Sequence, residues 1–245
     1  MSSEGALPRP VATAIIAALL GSSAAAWLVV PHQAAAMGGV AIVGVGLFLV
    51  TWVAMMVAMM FPAVAPMVLT HAGIVRSRGE GTMGTVAFVI SYLVVWTAAG
   101  LVLLGVIQLL GSSIAAPIDG WLPRLGGVIV AVAGIYQFTP LKTACLRACR
   151  SPVDFILSHY FGVGTSAAAR TGIAHGLQCV GSCWPLMAVL AVFGLMNLAL
   201  MAVFAVVFLL EKTWRYGIVL SYLAGAACVI LGVAVSIRPD FLHLV

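Results

Sequence analysis

The chain has 245 residues, 64% of them hydrophobic and only 7% charged, with a mean hydropathy of +1.22. A soluble domain carries about 25% charged residues, so this composition excludes a water-facing globular surface. The formal net charge of +5 comes from few, scattered basic residues, which read as topology signals in short loops and not as a nucleic-acid footprint.

The apolar runs are continuous instead of alternating, which points to helices and away from a membrane β-barrel. A span needs roughly 17 to 25 mostly apolar residues. That places helices near 11–30, 39–61, 84–110, 124–140, 172–194, 197–211 and 216–236. The expectation is an all-α, polytopic transmembrane bundle forming one domain over residues 1–245. Seven spans are expected, with six as the alternative, because 197–211 is short and Asn197 divides it only thinly from the run before. Arg9 ahead of Val11 to Val30 resembles a signal peptide, but the run is long enough to span and reads as a retained first helix; a cleaved signal is the alternative. Pro62 and Pro66 predict that the second helix either kinks or stops and restarts.

Lysine and arginine set the orientation. With the N-terminus inside, Arg9, Arg76, Arg78, Lys142, Arg147, Arg150, Arg170, Lys212 and Arg215 fall on the cytoplasmic side, and only Arg124 and Arg238 outside. The positive-inside tendency therefore predicts a cytoplasmic N-terminus in a prokaryotic plasma membrane protein. The longest polar connection, about 141–171, is then cytoplasmic, while RSRGEG at 76–81 and SSIAAPIDG at 112–120 read as ordinary loops. Trp52, Trp96, Trp121, Trp184 and Trp214 include interface anchors.

Four of the five cysteines form two pairs at i and i+4, Cys145 with Cys149 and Cys179 with Cys183, and His175 stands one turn before Cys179. Such neighbours on a helix have Cβ atoms roughly 5–6 Å apart, too far for an easy disulfide, which wants about 3.5–4.5 Å. Two ligands of one metal ion fit that spacing better, since metal–sulfur bonds near 2.3 Å extend the reach. Pro140 suits the first turn of a short helix carrying the first pair. Met55, Met56, Met59 and Met60 form two further i,i+4 pairs, and thioethers favour Cu(I) over harder ions; plain core filling is the other reading of both sets. Met67 and His71 continue the same segment. Helix directions bring both sets to similar depth beside the Cys145/Cys149 connection. Glu211 ends a long apolar run, where an ionisable group is a functional candidate or a helix-end carboxylate paired with Lys212 or Lys142.

Four stretches then carry a resemblance. They are Trp52 through Met60-Phe61-Pro62, Tyr136-Gln-Phe-Thr-Pro-Leu-Lys to Cys145 and Cys149, His175-Gly-Leu-Gln-Cys-Val-Gly-Ser-Cys-Trp, and Gly194-Leu-Met-Asn with Glu211-Lys. In this order, over about residues 40–225, the chain resembles the family of predicted metal-binding integral membrane proteins, domain of unknown function family 2182. The resemblance implies a polytopic prokaryotic membrane protein that binds a metal.

The leading expectation is a non-enzymatic protein that binds a soft transition metal for transport or delivery, Cu(I) first and Zn second. Cys145, Cys149, Cys179 and Cys183 are expected as thiolate ligands, His175 as an imidazole ligand, and Met55, Met56, Met59 and Met60 as a softer relay. Glu211 would take up a proton or tune the site. Expected partners are the lipid bilayer, the metal ion, and a metallochaperone or membrane complex, with no nucleic acid. Two alternatives stay open. One is a membrane thiol–disulfide relay. The other is a non-catalytic subunit packing through the small-xxx-small pattern Gly172/Gly176. Paired buried carboxylates, serine-nucleophile motifs and a GxxxxGK loop are missing from the sequence, which argues against hydrolysis and ATP-driven pumping.

Overall fold

The computed structural model describes residues 7–36, 44–113, 122–160, 162–194 and 197–238. Among them the secondary structure is helical: α1 (Arg9–Ala36), α2 (Val45–Ser77), α3 (Met83–Ser113), α4 (Leu122–Tyr136), α5 (Pro140–Arg150), α6 (Pro152–His159), α7 (Gly164–Phe193), α8 (Leu198–Thr213) and α9 (Gly217–Ile237). α2 packs against α1, α3 and α8; α7 packs against α3, α4 and α5; α4 packs against α9. Large aliphatic side chains stand exposed along α3 (Val86, Ile90, Val94, Val102) and α9 (Leu223, Ile230, Val233). Lipid tolerates such a surface; water does not.

Five helices, α1, α2, α3, α7 and α9, are long and apolar enough to cross a membrane. A sixth crossing arises if α4 and α5 count as one span bent by 63°. The remaining expected span, 197–211, is α8, and its 16 residues fall short: at 1.5 Å per residue it covers about 24 Å, less than a hydrocarbon core of about 30 Å. By length and composition the described residues hold five crossings, or six with the bent pair, the number given as the alternative.

Prolines explain several of the joints. α2 runs unbroken through Pro62 and Pro66, so the helix does not stop there. Proline lacks an N–H and frees the carbonyl four residues earlier. For Pro62 that is Ala58, whose oxygen accepts from Ser23 Oγ at 2.7 Å and Trp27 Nε1 at 3.2 Å. The missing bond is what fastens α1 to α2. Pro185 does the same inside α7: it frees Gly181 O, which accepts from Tyr136 Oη at 2.9 Å. In a lipid environment a freed carbonyl needs such a partner.

The polar connection is largely helical. Thr139 caps α5 by accepting from Lys142 N at 3.2 Å, with Pro140 in the first turn, as the spacing predicts. α7 begins at Gly164, eight residues before the expected start, because Ala167 to Ala169 are strong helix formers that an apolarity count undervalues. It ends at Gly194, whose φ of 102° lies in the left-handed region that glycine adopts freely.

Two expectations are corrected. Trp52 and Trp96 are buried, at 3% and 1% exposure, with Trp52 Nε1 donating to Trp96 O at 2.8 Å. They tie α2 to α3 and are not interface anchors, whereas Trp184 and Trp214 are exposed. Gly172 and Gly176 lie where any Cβ would collide with Ser91 and Phe88 or with Val95 of α3. The small-xxx-small pattern is thus used within the chain, for α3 against α7. Residues 114–121, with Trp121 and most of the expected 112–120 loop, and Leu195 and Met196 of the fourth motif lie outside the described residues.

Candidate metal site

The bend between α4 and α5 lays α5 against the middle of α7. Two contacts hold it: Tyr136 on Gly181 O, and Lys142 Nζ donating to Ser182 O at 2.6 Å. The i,i+4 thiol pairs of α5 and α7 therefore face each other. Cys179 and Cys183 are fully buried, and Cys145 and Cys149 nearly so. Cys149 and Cys183 both interact with the Cys179 thiol. Cys145 sits farther along, against Gly181, interacting with Cys183 and Lys142. All five cysteines, including Cys228 on α9, are free thiols.

α8 closes this cluster with a residue the sequence reading took as a topology signal and a candidate partner of Glu211, not as part of the thiol site. Lys212 is buried at 8% exposure, its Nζ 2.9 Å from Cys179 Sγ and 3.9 Å from Met60 Sδ. Cys149, Cys183 and Tyr92 of α3 also lie within its electrostatic reach. Tyr92, likewise missed, is buried with its hydroxyl 3.2 Å from Cys179 Sγ. A lone tyrosine in an apolar helix carries no sequence signal. Lys212 does carry one: adjacent helical residues point about 100° apart, so the Glu211-Lys212 doublet at the end of an apolar run sends its two charges to different neighbours.

Glu211 goes to Lys142. The pair is 2.9 Å apart and both side chains are buried. Arg150 also bonds to the Glu211 carbonyl. Glu211 Oε2 is thus committed to an ammonium, while Oε1 is buried with no hydrogen-bond partner among the described residues. Of the two pairings the sequence offered, the one with Lys142 forms, but deep in the protein and not snorkelling to water. Lys142→Met is expected to destabilise the chain by about 3–5 kcal/mol, since it strands a buried carboxylate. Adding Glu211→Gln should return most of that loss. Thermal unfolding of the detergent-solubilised protein measures both; a single variant as stable as the parent would show the pair to be idle.

The remaining expected ligands separate. Met60 meets Lys212 and so borders the thiols, whereas Met55, Met56 and Met59 are fully buried in the general core of α2. His175 is enclosed by Phe88, Tyr92 and Phe155, with ring centroids 5.9, 5.7 and 5.4 Å away. Beyond the helix ends, Glu80 Oε2 accepts from Tyr160 Oη and Gly164 N, both at 2.7 Å. The Tyr160 hydroxyl, helped by that N–H, holds the Glu80 carboxyl below its usual range, while burial and the carboxylate push Tyr160 up to about 12.

Among the described residues no three His, Cys, Asp or Glu side chains are arranged to hold a metal ion. The thiols crowd instead around an ammonium. Thiol and thioether are soft donors, the kind that select soft transition metals.

No curated protein and no solved structure matches the chain. The profile of a family described as "PpoB2: Copper chaperone" matches residues 49–235, a stretch that contains every thiol, methionine, histidine and lysine placed above. Chaperones bind and hand on an ion instead of transforming a substrate, in accord with the expected non-enzymatic role. With most of its length matched in this way, the chain belongs to the PpoB2 copper chaperone family.

Proposed function

We propose that the chain is a multi-pass protein of a prokaryotic plasma membrane that takes Cu(I) as cargo on Cys149, Cys179 and Cys183, with Met60 at the edge of the site, and passes it to a protein partner bearing soft ligands. The observation that carries this reading is the Lys212 ammonium 2.9 Å from Cys179 Sγ. A buried ammonium needs a counter-charge, and the carboxylate next to it in sequence already serves Lys142. What surrounds Lys212 Nζ is sulfur. A single positive charge held by thiols and a thioether is the electrostatic equivalent of bound Cu(I).

Cargo and ammonium compete for the same sulfur electrons. Copper enters as Lys212 withdraws, and Lys212 returns as copper leaves, so the buried thiols are never left without a cation. Cu(I), a d10 ion, is satisfied by as few as two soft ligands, and the thiols that crowd the ammonium would provide them once Lys212 withdraws. Zinc prefers a closed tetrahedron of four N/S ligands, and the donors gathered here favour copper. Cys145, behind Cys183, is suited to receive or release the ion. Lys142 and Glu211 hold α5 and α8 around α7 as a neutral pair, so Glu211 tunes the site without ligating. His175 supports Cys179 from the next turn.

The experiment is copper analysis of the full chain, purified anaerobically in detergent, beside a Cys149→Ser/Cys179→Ser variant. The parent should retain about one copper, as one thiolate cluster implies, and the variant should retain none. Equal metal in the two would reject the thiol site.

A further inference from the structure

α2 carries soft donors well beyond its methionine cluster. Met60, Met67 and His71 follow at i, i+7 and i+11, which sets them along one face of an unbroken helix. All three are essentially inaccessible, at 0%, 2% and 0% exposure. His71 is the anomaly. Both its ring nitrogens, Nδ1 and Nε2, are buried with no hydrogen-bond partner among the described residues. A neutral imidazole carries one N–H donor and one lone pair, and leaving both unmatched in the interior is costly and uncommon. Its surroundings are aromatic: Phe88 stacks at 4.6 Å and Tyr160 meets it edge-on at 5.4 Å. Tyr160 gives its hydroxyl proton to Glu80 and not to either ring nitrogen.

His175 repeats the pattern on the other ring contact of Phe88. It stacks there at 5.9 Å and on Tyr92 at 5.7 Å, and its Nδ1 is also buried without a partner among the described residues. Tyr92 then reaches Cys179. One run of contacts thus joins the Glu80–Tyr160 corner to the thiols: Tyr160, His71, Phe88, His175, Tyr92, Cys179. Each histidine on it presents an unused nitrogen.

We infer that His71, with Met67 one turn before it on α2, is a second binding station for Cu(I), lying between the Glu80–Tyr160 corner and the thiol cluster. The inference rests on the copper reading of that cluster. Imidazole nitrogen and thioether sulfur both suit copper, and neither has to lose a proton to bind it. A neutral N/S pair holds Cu(I) more weakly than thiolates, so an ion arriving at His71 has a downhill path by ligand exchange to Cys179. The orphaned nitrogens are ligands kept free for a passing ion.

The test is an anaerobic Cu(I) titration of the full chain in detergent against a chromophoric Cu(I) chelator. The parent is expected to bind a tight and a weaker equivalent. His71→Phe, which keeps the aromatic stack but removes both nitrogens, should lose the weaker one; His71→Leu serves the same purpose if the larger ring impairs folding. His71→Met, which restores a soft donor, should keep it. A Cys149→Ser/Cys179→Ser chain should lose the tight equivalent and retain the weaker one. A weaker equivalent that survives His71→Phe or His71→Leu, or that disappears equally in His71→Met, or that never appears in the parent, overturns the inference. A tight equivalent that survives the cysteine changes instead rejects the thiol site, so the two failures are told apart.

Discussion

Changing Cys149 and Cys179 together to serine is expected to weaken Cu(I) binding by well over 100-fold, more than the roughly 10–100-fold that losing an outer-shell partner costs. The expectation follows from where the two thiols sit. One comes from the short capped helix α5 and the other from the middle of α7, and they meet only because Tyr136 and Lys142 fasten α5 to the proline-loosened turn at Gly181 and Ser182. A site shared between two helices loses its chelate advantage when either ligand goes. Serine keeps the volume and removes the soft donor, so folding should survive; thermal unfolding of the metal-free variant close to that of the parent checks this. Competition titration with a Cu(I) chelator measures the affinity. An unchanged affinity would reduce the cysteine stripe to buried core, the other role free thiols commonly play.

Lys212→Met is expected to act in the opposite direction, tightening Cu(I) by about 10-fold or more, the equivalent of about 1.4 kcal/mol. In the parent, an incoming ion must turn an ammonium out of its sulfur pocket and leave that charge in a poorly solvated place, which is expensive. Methionine has similar reach, no charge, and one more thioether to offer. The metal-free chain should tolerate the change, because without the ammonium the pocket holds only thiols and thioethers, which pack as small soft hydrophobes. Release should suffer accordingly: copper should pass from the variant to an acceptor more slowly than from the parent, as a stopped-flow transfer assay would record. Weaker binding in Lys212→Met would mean that the ammonium helps the thiols to hold copper and does not keep the cation's place.

Much of the architecture was legible in the amino-acid pattern because lipid demands long apolar helices, and the seven expected runs correspond to α1, α2, α3, α4, α7, α8 and α9. α5 was legible in detail, since Pro140 and the Cys145/Cys149 spacing specify a capped helix with both thiols on one face. The limits lie where one residue type has several uses. Gly172 and Gly176 read equally well as an intermolecular or an internal contact, and only the α3 backbone against them decides. Pro62 and Pro185 announce a broken hydrogen bond but not who repairs it; Ser23, Trp27 and Tyr136 do so from other helices. Lys212 was hidden by its own charge, which counts as a topology signal when only loops are considered. Four methionines in six residues look alike in sequence, yet only Met60 faces the ammonium.

The most direct measurement is the copper K-edge X-ray absorption spectrum of the full chain loaded anaerobically with one equivalent of Cu(I). A site on Cys149, Cys179 and Cys183 bordered by Met60 predicts a Cu(I) edge and a first shell of two or three sulfur scatterers, lost in the Cys149→Ser/Cys179→Ser chain. A first shell dominated by nitrogen or oxygen, or a sulfur shell that persists without those thiols, would contradict a copper cargo carried in the place of the Lys212 ammonium.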